Sequence, residues 1–235
     1  MLGDIDTMKL QQIIDKLRYG ELLNTSWDCD DKLPKVITAI NSGLIDLASR
    51  FPLEEKQVLI QQYPQISIYK LSKEFARSNK DSSEPHKYIL DTVFEPFTDD
   101  VLLITDVCDE TGSKIPLNDE NRPDSIFLIS YNQIQIPNAN EENTTFVIYR
   151  KSPKYIDPHT TDLEQDIDLP AYLLEALCAY VAFKDVLNIG GQEGLTAFQA
   201  LEQRYLTLCD NIHAGNLLQN NVMPTNIKPI LRNYI

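Results

Sequence analysis

Three carboxylate residues and a glycine in the middle of the chain could bind a cation or perform acid–base chemistry. They are Asp106, Asp109, Glu110 and Gly112. A calcium loop of the EF-hand type has acidic or amide ligands at its first, third and fifth positions, glycine at the sixth and glutamate at the twelfth. With Gly112 at the sixth position, Val107 occupies the first and Asn118 the twelfth. The spacing therefore fails for calcium, and it predicts a hairpin turn at 110–113.

A second acidic cluster precedes a helix-like segment. It comprises Asp28, Asp30 and Asp31. These carboxylates could be metal ligands or an acid–base pair, but no histidine lies near them in the sequence, and acidic residues commonly cap helices. Pro34 would lie in the first helical turn, a position that proline favours. We therefore expect Asp30 or Asp31 to be an N-cap.

The other groups with catalytic potential are scattered along the chain. The cysteines are Cys29, Cys108, Cys178 and Cys209, and the histidines are His86, His159 and His213. No CxxC, HExxH or GxSxG motif occurs, so we expect reduced, buried thiols. The glycines Gly190, Gly191 and Gly194 follow no strand and precede no Lys-Ser/Thr pair, which indicates a turn between helices rather than a phosphate loop. The sequence predicts no catalytic constellation, no cofactor and no metal.

Composition limits the classes of function. The chain has 235 residues, a mass of 26.8 kDa, a formal charge of -14 and a pI of about 4.6. This charge disfavours binding to nucleic-acid phosphates and is compatible with a surface past which DNA slides. The N-terminal residues lack a signal-peptide pattern, and no apolar run approaches the roughly 20 residues that span a bilayer. We expect a protein that is made in a cytoplasm, stays soluble and does not enter a membrane.

Apolar residues recur at helical spacing near both ends of the chain. One helix is expected after Thr7, and a second ends before Pro52. A third is expected after an Asp168 N-cap, and a fourth follows the glycines at 190–191. Short connections within each pair favour neighbouring antiparallel helices. The sequence therefore predicts an antiparallel four-helix bundle formed by both chain ends.

The middle of the chain contains short β-prone runs separated by turn residues, without helical patterns between them. The runs are 56–63, 66–71, 101–105, 126–130, 134–136 and 146–150. This pattern favours antiparallel pairing. The predicted class is α+β. The predicted domains are a helical bundle at 1–55 and 166–215, a β-rich insertion at 56–165, and an extended C-terminal arm at 216–235.

The arm carries the strongest functional signal. Its last part, NNVMPTNIKPILRNYI, contains no acidic residue although the chain is strongly acidic. Pro224 and Pro229 favour an extended conformation, and such a peptide could add a strand to a partner's sheet or fill a groove. Folding back onto its own bundle is the alternative. The residues predicted to contact a partner are Lys228, Ile230, Leu231, Arg232, Tyr234 and Ile235.

Five segments of the chain carry a resemblance to a known family. They are RYGEL at 18–22, LPKVITAINSGLIDLASRFPLEEKQVLI at 33–60, DETGSKIPLND at 109–119, LPAYLLEALCAYVAFKDVLN at 169–188 and FQALEQRYLTLCDNI at 198–212. Together they resemble the head-to-tail adaptors of tailed bacteriophages, particularly the tail-tubular-A-like adaptors of short-tailed phages, and the Asn, Ile and Lys usage resembles that of the crAss-like phages. The resemblance covers most of the chain.

The resemblance implies a structural virion protein without catalysis. About twelve copies would form a ring below the portal protein, in the neck between capsid and tail, and leave a channel through which DNA passes without specific binding. The C-terminal arm would contact the portal or a neighbouring copy. The turns around Glu110–Lys114 and Asn138–Asn143 would contact the next tail or fibre component. Two alternatives stay open: a monomeric assembly chaperone or binding module, and a soluble enzyme that uses Asp106, Asp109 and Glu110.

Overall fold

The computed structural model describes residues 8–23, Thr25, Trp27, 30–186 and 191–215. The described chain divides into two compact units. A helical unit combines the residues up to 53 with those from 153 onwards, and a β unit comprises residues 54–152. The arm at 216–235, predicted from the sequence, lies outside the described residues.

Four helices and eight strands make up the described chain. In order they are β1 (Met8–Lys9), α1 (Leu10–Arg18), α2 (Leu33–Arg50), β2 (Glu55–Gln61), β3 (Ile68–Lys70), β4 (Val101–Asp109), β5 (Phe127–Ser130), β6 (Gln133–Gln135), β7 (Thr144–Lys151), β8 (Asp166–Ile167), α3 (Leu174–Val186) and α4 (Gly191–Ala214). Short 3-10 turns lie at Asp30–Lys32, Lys73–Phe75 and Ala171–Leu173.

The helical unit is organised around α3. Every residue from Ala176 to Phe183 is buried, so this helix is apolar on all sides and must be covered all round. The helices α1, α2 and α4 all pack against it. A Cβ added to Gly43 of α2 would lie 2.6 Å from Leu177 Cδ1 and 2.9 Å from Tyr180 Cδ1. Glycine at this position therefore allows α2 to approach α3.

The predicted antiparallel four-helix bundle is wrong. The described chain is an α+β protein in which eight strands form three antiparallel sheets. In a four-helix bundle each helix buries one stripe, whereas α3 is enclosed on all sides. The helical unit also contains a small sheet that the sequence did not predict, in which Met8 of β1 lies opposite Ile167 of β8.

The N-caps expected for α2 and α3 differ from those in the structure. Helix α2 begins at Leu33 with Lys32 as its N-cap, because the preceding residues form a 3-10 turn, so the expected Asp30 or Asp31 cap is wrong. The expected Asp168 cap is also wrong, since a 3-10 turn capped by Pro170 precedes α3. The predicted end of α2 is confirmed, with Phe51 extended before Pro52.

The β unit contains two three-stranded antiparallel sheets, with strand orders β2-β7-β4 and β3-β6-β5. The predicted antiparallel pairing is confirmed, and every predicted run overlaps a strand. The order of the first sheet is not sequential, because the last strand, β7, lies between β2 and β4. Val58 of β2 and Val107 of β4 both face Val147 of β7. These valines belong to a core separate from that of the helical unit.

Candidate docking site

The carboxylates of the β4 hairpin stabilise a turn. The Oδ1 of Asp109 accepts hydrogen bonds from Thr111 N at 2.8 Å and Ser113 N at 2.9 Å. Gly112 has a φ of 82°, a left-handed conformation that glycine adopts readily. Burial raises the pKa of Asp109, but its hydrogen bonds to Thr111, Ser113 and Gly112 outweigh burial, and the pKa is below its ordinary value. The predicted hairpin turn is confirmed.

The neighbouring carboxylates are also engaged locally or exposed. Asp106 Oδ2 lies 2.9 Å from Lys114 Nζ, and Glu110 is exposed at the tip of the turn. Asp109 and Lys114 line one side of a groove of about 510 Å³ in the β unit. Among the described residues, no group of three or more His, Cys, Asp or Glu side chains is placed to hold a metal ion.

The remaining predicted groups are spread over different parts of the fold. Asp31 Oδ2 lies 2.9 Å from Lys32 Nζ, while Asp28, Cys29 and Gly190 lie outside the described residues. Cys108, Cys178 and Cys209 are buried free thiols, as expected. His86 packs on Tyr63 and His213 packs on Phe51. His159 lines a groove of about 530 Å³ in the helical unit together with Trp27, Lys35 and Lys184.

All six residues predicted to contact a partner lie outside the described part of the chain. They are Lys228, Ile230, Leu231, Arg232, Tyr234 and Ile235. The docking surface described below is therefore formed by other residues of the chain.

One such surface begins at the outer edge of β2. Leu59 O accepts a hydrogen bond from Leu90 N at 2.8 Å, and Gln61 N donates one to Tyr88 O at 2.9 Å. Since backbone groups alternate in direction along a strand, the N–H and C=O of Gln57 point to the same outer side. No described strand pairs with β2 there, and the edge next to Gln57 is open within the described chain.

A fixed loop flanks this open edge. The carboxylate of Asp91 accepts hydrogen bonds from Ser78 N at 2.8 Å and from Phe97 N at 2.9 Å, and the Ser78 hydroxyl also donates to it. Phe97 is buried, but Phe94 is 96% exposed and Val93 is 73% exposed. The loop therefore holds two apolar side chains out into solvent.

A partly buried polar network adjoins the site. Lys56 Nζ lies 2.7 Å from Asp100 Oδ2, and Tyr149 Oη donates to Asp100 Oδ1 at 2.9 Å. Burial raises the pKa of Asp100, but the hydrogen bonds from Lys56 and Tyr149 outweigh it and hold this pKa below its ordinary value. Burial also raises the pKa of Tyr149 well above its ordinary value. The Lys56 charge is thus balanced by Asp100.

Together these parts enclose a groove of about 460 Å³, which we call the β2-edge groove. Its lining residues are Lys56, Gln57, Val58, Leu59, Leu90, Asp91, Thr92, Glu95, Pro96, Phe97, Thr98, Phe146 and Tyr149. An open strand edge beside apolar side chains is the arrangement by which sheets bind extended peptides. Sequence reasoning missed this groove, although the apolar residues of TVFEPFT within a polar stretch were a visible signal.

Comparison of the chain with protein-family models and with curated proteins finds no match. In the described part of the chain, no helix has the length and hydrophobicity needed to cross a bilayer. A proposal about function therefore rests on the chain's own residues, its charge and its resemblance to the head-to-tail adaptors of tailed bacteriophages.

Proposed function

We propose that this chain is a structural head-to-tail adaptor in the neck of a tailed bacteriophage. In this proposal about twelve copies form a ring below the portal protein and connect it to the next tail component. The ring leaves a channel for DNA and performs no catalysis. The virion neck is the proposed location.

The observation that carries the proposal is the organisation of the chain into a helical unit and a β unit with separate hydrophobic cores. The β unit, Glu54–Ser152, lies between the two sequence segments of the helical unit. A unit with its own core can present a surface to one component while the other unit contacts another, which suits a protein that joins two parts of a particle.

The charge of the chain supports the same proposal. A formal charge of -14 gives a ring whose channel wall repels DNA phosphates. Attraction would retain DNA during ejection, because each phosphate contact adds to affinity. We place the acidic residues preferentially on the inner wall of the ring.

The C-terminal arm supplies the proposed contact to the portal or to a neighbouring copy. Its apolar residues are spaced by prolines that favour an extended chain, and Lys228 and Arg232 give it positive charge. An arm that reaches another subunit strengthens a ring without a large flat interface. The turns at Glu110–Lys114 and Asn138–Asn143 are the proposed contacts to the tail side.

Native mass spectrometry of the full chain, alone and with the portal protein of its virus, tests the proposal. We expect the portal to acquire a complete ring of adaptor copies. The double variant Leu231→Asp with Arg232→Glu should prevent the addition of adaptor copies to the portal. The control is Asn220→Asp, a conservative change before the apolar part of the arm, which should not prevent it. Absence of any association with the portal would contradict the adaptor proposal.

A monomeric binding module is the second candidate, and the β2-edge groove is the observation that favours it. A module of this kind would form one-to-one complexes with a peptide partner and no rings. The same mass spectra distinguish the two candidates, since a single added copy and a complete ring differ greatly in mass.

A further inference from the structure

The β2-edge groove has three properties that a binding site for an extended peptide requires. Within the described chain the backbone groups of Gln57 on the outer side of β2 have no strand partner, the loop that flanks the groove exposes Val93 and Phe94, and the groove has a volume of about 460 Å³. Val93 and Phe94 are adjacent and both exposed, so they form a small contiguous apolar patch beside the groove, and such patches mark contact surfaces when they are extended by a partner site. The hydrogen bonds from Ser78 N and Phe97 N to Asp91 hold the two ends of this loop.

The charges around the groove favour a basic occupant. Glu95 lines the groove from the loop, and Glu55 lies two residues before Gln57 on β2, opposite Arg150 of β7. Both glutamate side chains are exposed. The cation in the lining, Lys56, is paired with Asp100 at 2.7 Å and adds little net attraction for an anion. Among the charged residues that line the groove, the carboxylates Asp91 and Glu95 outnumber the cation Lys56, so the rim carries an excess of negative charge.

The chain itself contains a segment with the complementary properties. Residues 222–235 include Lys228 and Arg232 and no acidic residue. The part after Pro229, with the sequence ILRNYI, has no proline and can form a continuous edge strand. In an extended strand alternate side chains face opposite sides, so Leu231 and Ile235 would share one face.

We propose that the β2-edge groove of one copy holds the C-terminal segment, residues 222–235, of a second copy of this chain. Residues 230–235 lie extended along the open edge of β2 and pair with the backbone of Gln57. Their apolar side chains contact Phe94 and the groove lining, and Lys228 and Arg232 face the rim carboxylates. Repeated from copy to copy, this head-to-tail contact closes a ring, so the inference rests on the proposed function.

Photo-cross-linking of the full chain tests this contact directly. The photo-reactive residue p-benzoylphenylalanine replaces Phe94, and isotopically heavy and light copies are mixed at about 100 μM, where contacts of micromolar strength are populated. We expect adducts between position 94 and residues 222–235 that join a heavy copy to a light one. The matched control places the same residue at Tyr131, which is 61% exposed elsewhere in the β unit and should give no such adduct.

Two variants test strand pairing and charge separately. Gln57→Pro removes the outward N–H without touching the bonds to β7, and it should lower the cross-link yield about fivefold, as expected for one lost hydrogen bond. Gln57→Ala loses the same side chain but keeps the N–H, so the difference in yield between the two variants reports the backbone donor alone. The pair Lys228→Glu and Arg232→Glu should also lower the yield, and more so at low salt.

Three results would overturn the proposal: no adduct in residues 222–235, adducts that join only positions within one copy, or equal yields for Gln57→Pro and Gln57→Ala. Circular dichroism of each variant identifies any loss of folding. Failure of the adaptor proposal can be distinguished from failure of the groove contact. Heavy–light cross-links without portal binding would contradict the adaptor proposal and support the groove contact. Portal rings without these cross-links would refute the groove contact alone.

Discussion

The side chain of Asn41 in α2 forms both backbone hydrogen bonds of Ile156, which lies in the extended segment leading back to the helical unit. Asn41 Nδ2 donates to Ile156 O at 2.7 Å, and Ile156 N donates to Asn41 Oδ1 at 2.9 Å. Both residues are buried, so water cannot replace these bonds. The amide thus acts as a strand partner and fixes the segment against α2.

Replacement of Asn41 by leucine should destabilise the protein strongly. The change leaves the N–H and C=O of Ile156 buried without partners, which costs about 1–3 kcal/mol for each group. We expect urea denaturation to show a loss of about 2–6 kcal/mol. The control is Ser42→Ala, an exposed neighbour in the same helix, which should change stability by less than about 0.5 kcal/mol. A small loss for Asn41→Leu would show that the segment can leave α2 freely.

Introduction of a methyl group at Gly43 tests the close approach of α2 and α3. Glycine to alanine usually stabilises a helix by about 1 kcal/mol. Here the new Cβ would lie 2.6 Å from Leu177 Cδ1, and Leu177 is fully buried, so overpacking should outweigh the gain. We expect Gly43→Ala to lower the thermal midpoint and Gly43→Val to lower it further. Thr38→Ala, an exposed position of α2, is the control, and a raised midpoint for Gly43→Ala would contradict the packing.

The hydroxyl of Tyr205 in α4 donates to Asp46 Oδ2 in α2, and Arg50 Nε lies 2.7 Å from the same oxygen. Burial, then the hydrogen bond to Asp46, raises the pKa of Tyr205 well above its ordinary value of about 10. Because the pKa of Tyr205 is higher in the folded state than in the unfolded state, its hydroxyl contributes to the free energy of unfolding. This contribution is fully present below the unfolded-state pKa of about 10, and it is lost as the pH rises from there through the folded-state pKa. Stability should therefore decline above about pH 10.

The variant Tyr205→Phe measures this contribution. It should lose about 1–2 kcal/mol at pH 7, because the Asp46 carboxylate loses a donor. Its decline in stability at alkaline pH should also be shallower than that of the wild type. Tyr19→Phe, at an exposed tyrosine, serves as the control and should match the wild type at every pH. Parallel alkaline curves for Tyr205→Phe and the wild type would contradict the assignment.

Asp100 gives the β unit an acid-sensitive contribution. Its pKa is below the ordinary value because the hydrogen bonds from Lys56 and Tyr149 outweigh its burial. Because the pKa of Asp100 is lower in the folded state than in the unfolded state, its carboxylate contributes to the free energy of unfolding. This contribution is present above the unfolded-state pKa of about 3.9, and it disappears as the pH falls through the folded-state pKa. Asp100→Asn should therefore be less stable at pH 7 and less dependent on pH below about 4. Asp124→Asn, at an exposed position, is the comparison for denaturation from pH 7 to pH 2.

Local pattern was enough for many elements. The apolar spacing in α2 and the pre-proline stop at Phe51 predicted that helix and its buried face, since both depend on neighbours within the same helix. The β-prone runs and the turn at Gly112 were predicted for the same reason. The N-cap near Asp31 was mispredicted because a 3-10 turn and a proline compete for the same positions.

The sequence by itself determined the approximate positions of the four helices, the strands and antiparallel class of the β unit and the acidic charge, because these follow from short-range spacing and composition. Only the tertiary structure decided that α3 is enclosed on all sides, that β7 lies between β2 and β4, and that Asn41 pairs with Ile156. It also decided where the β2-edge groove lies. These features join residues that are far apart in the chain. They depend on how whole helices and strands pack together, and short-range sequence preferences do not specify them.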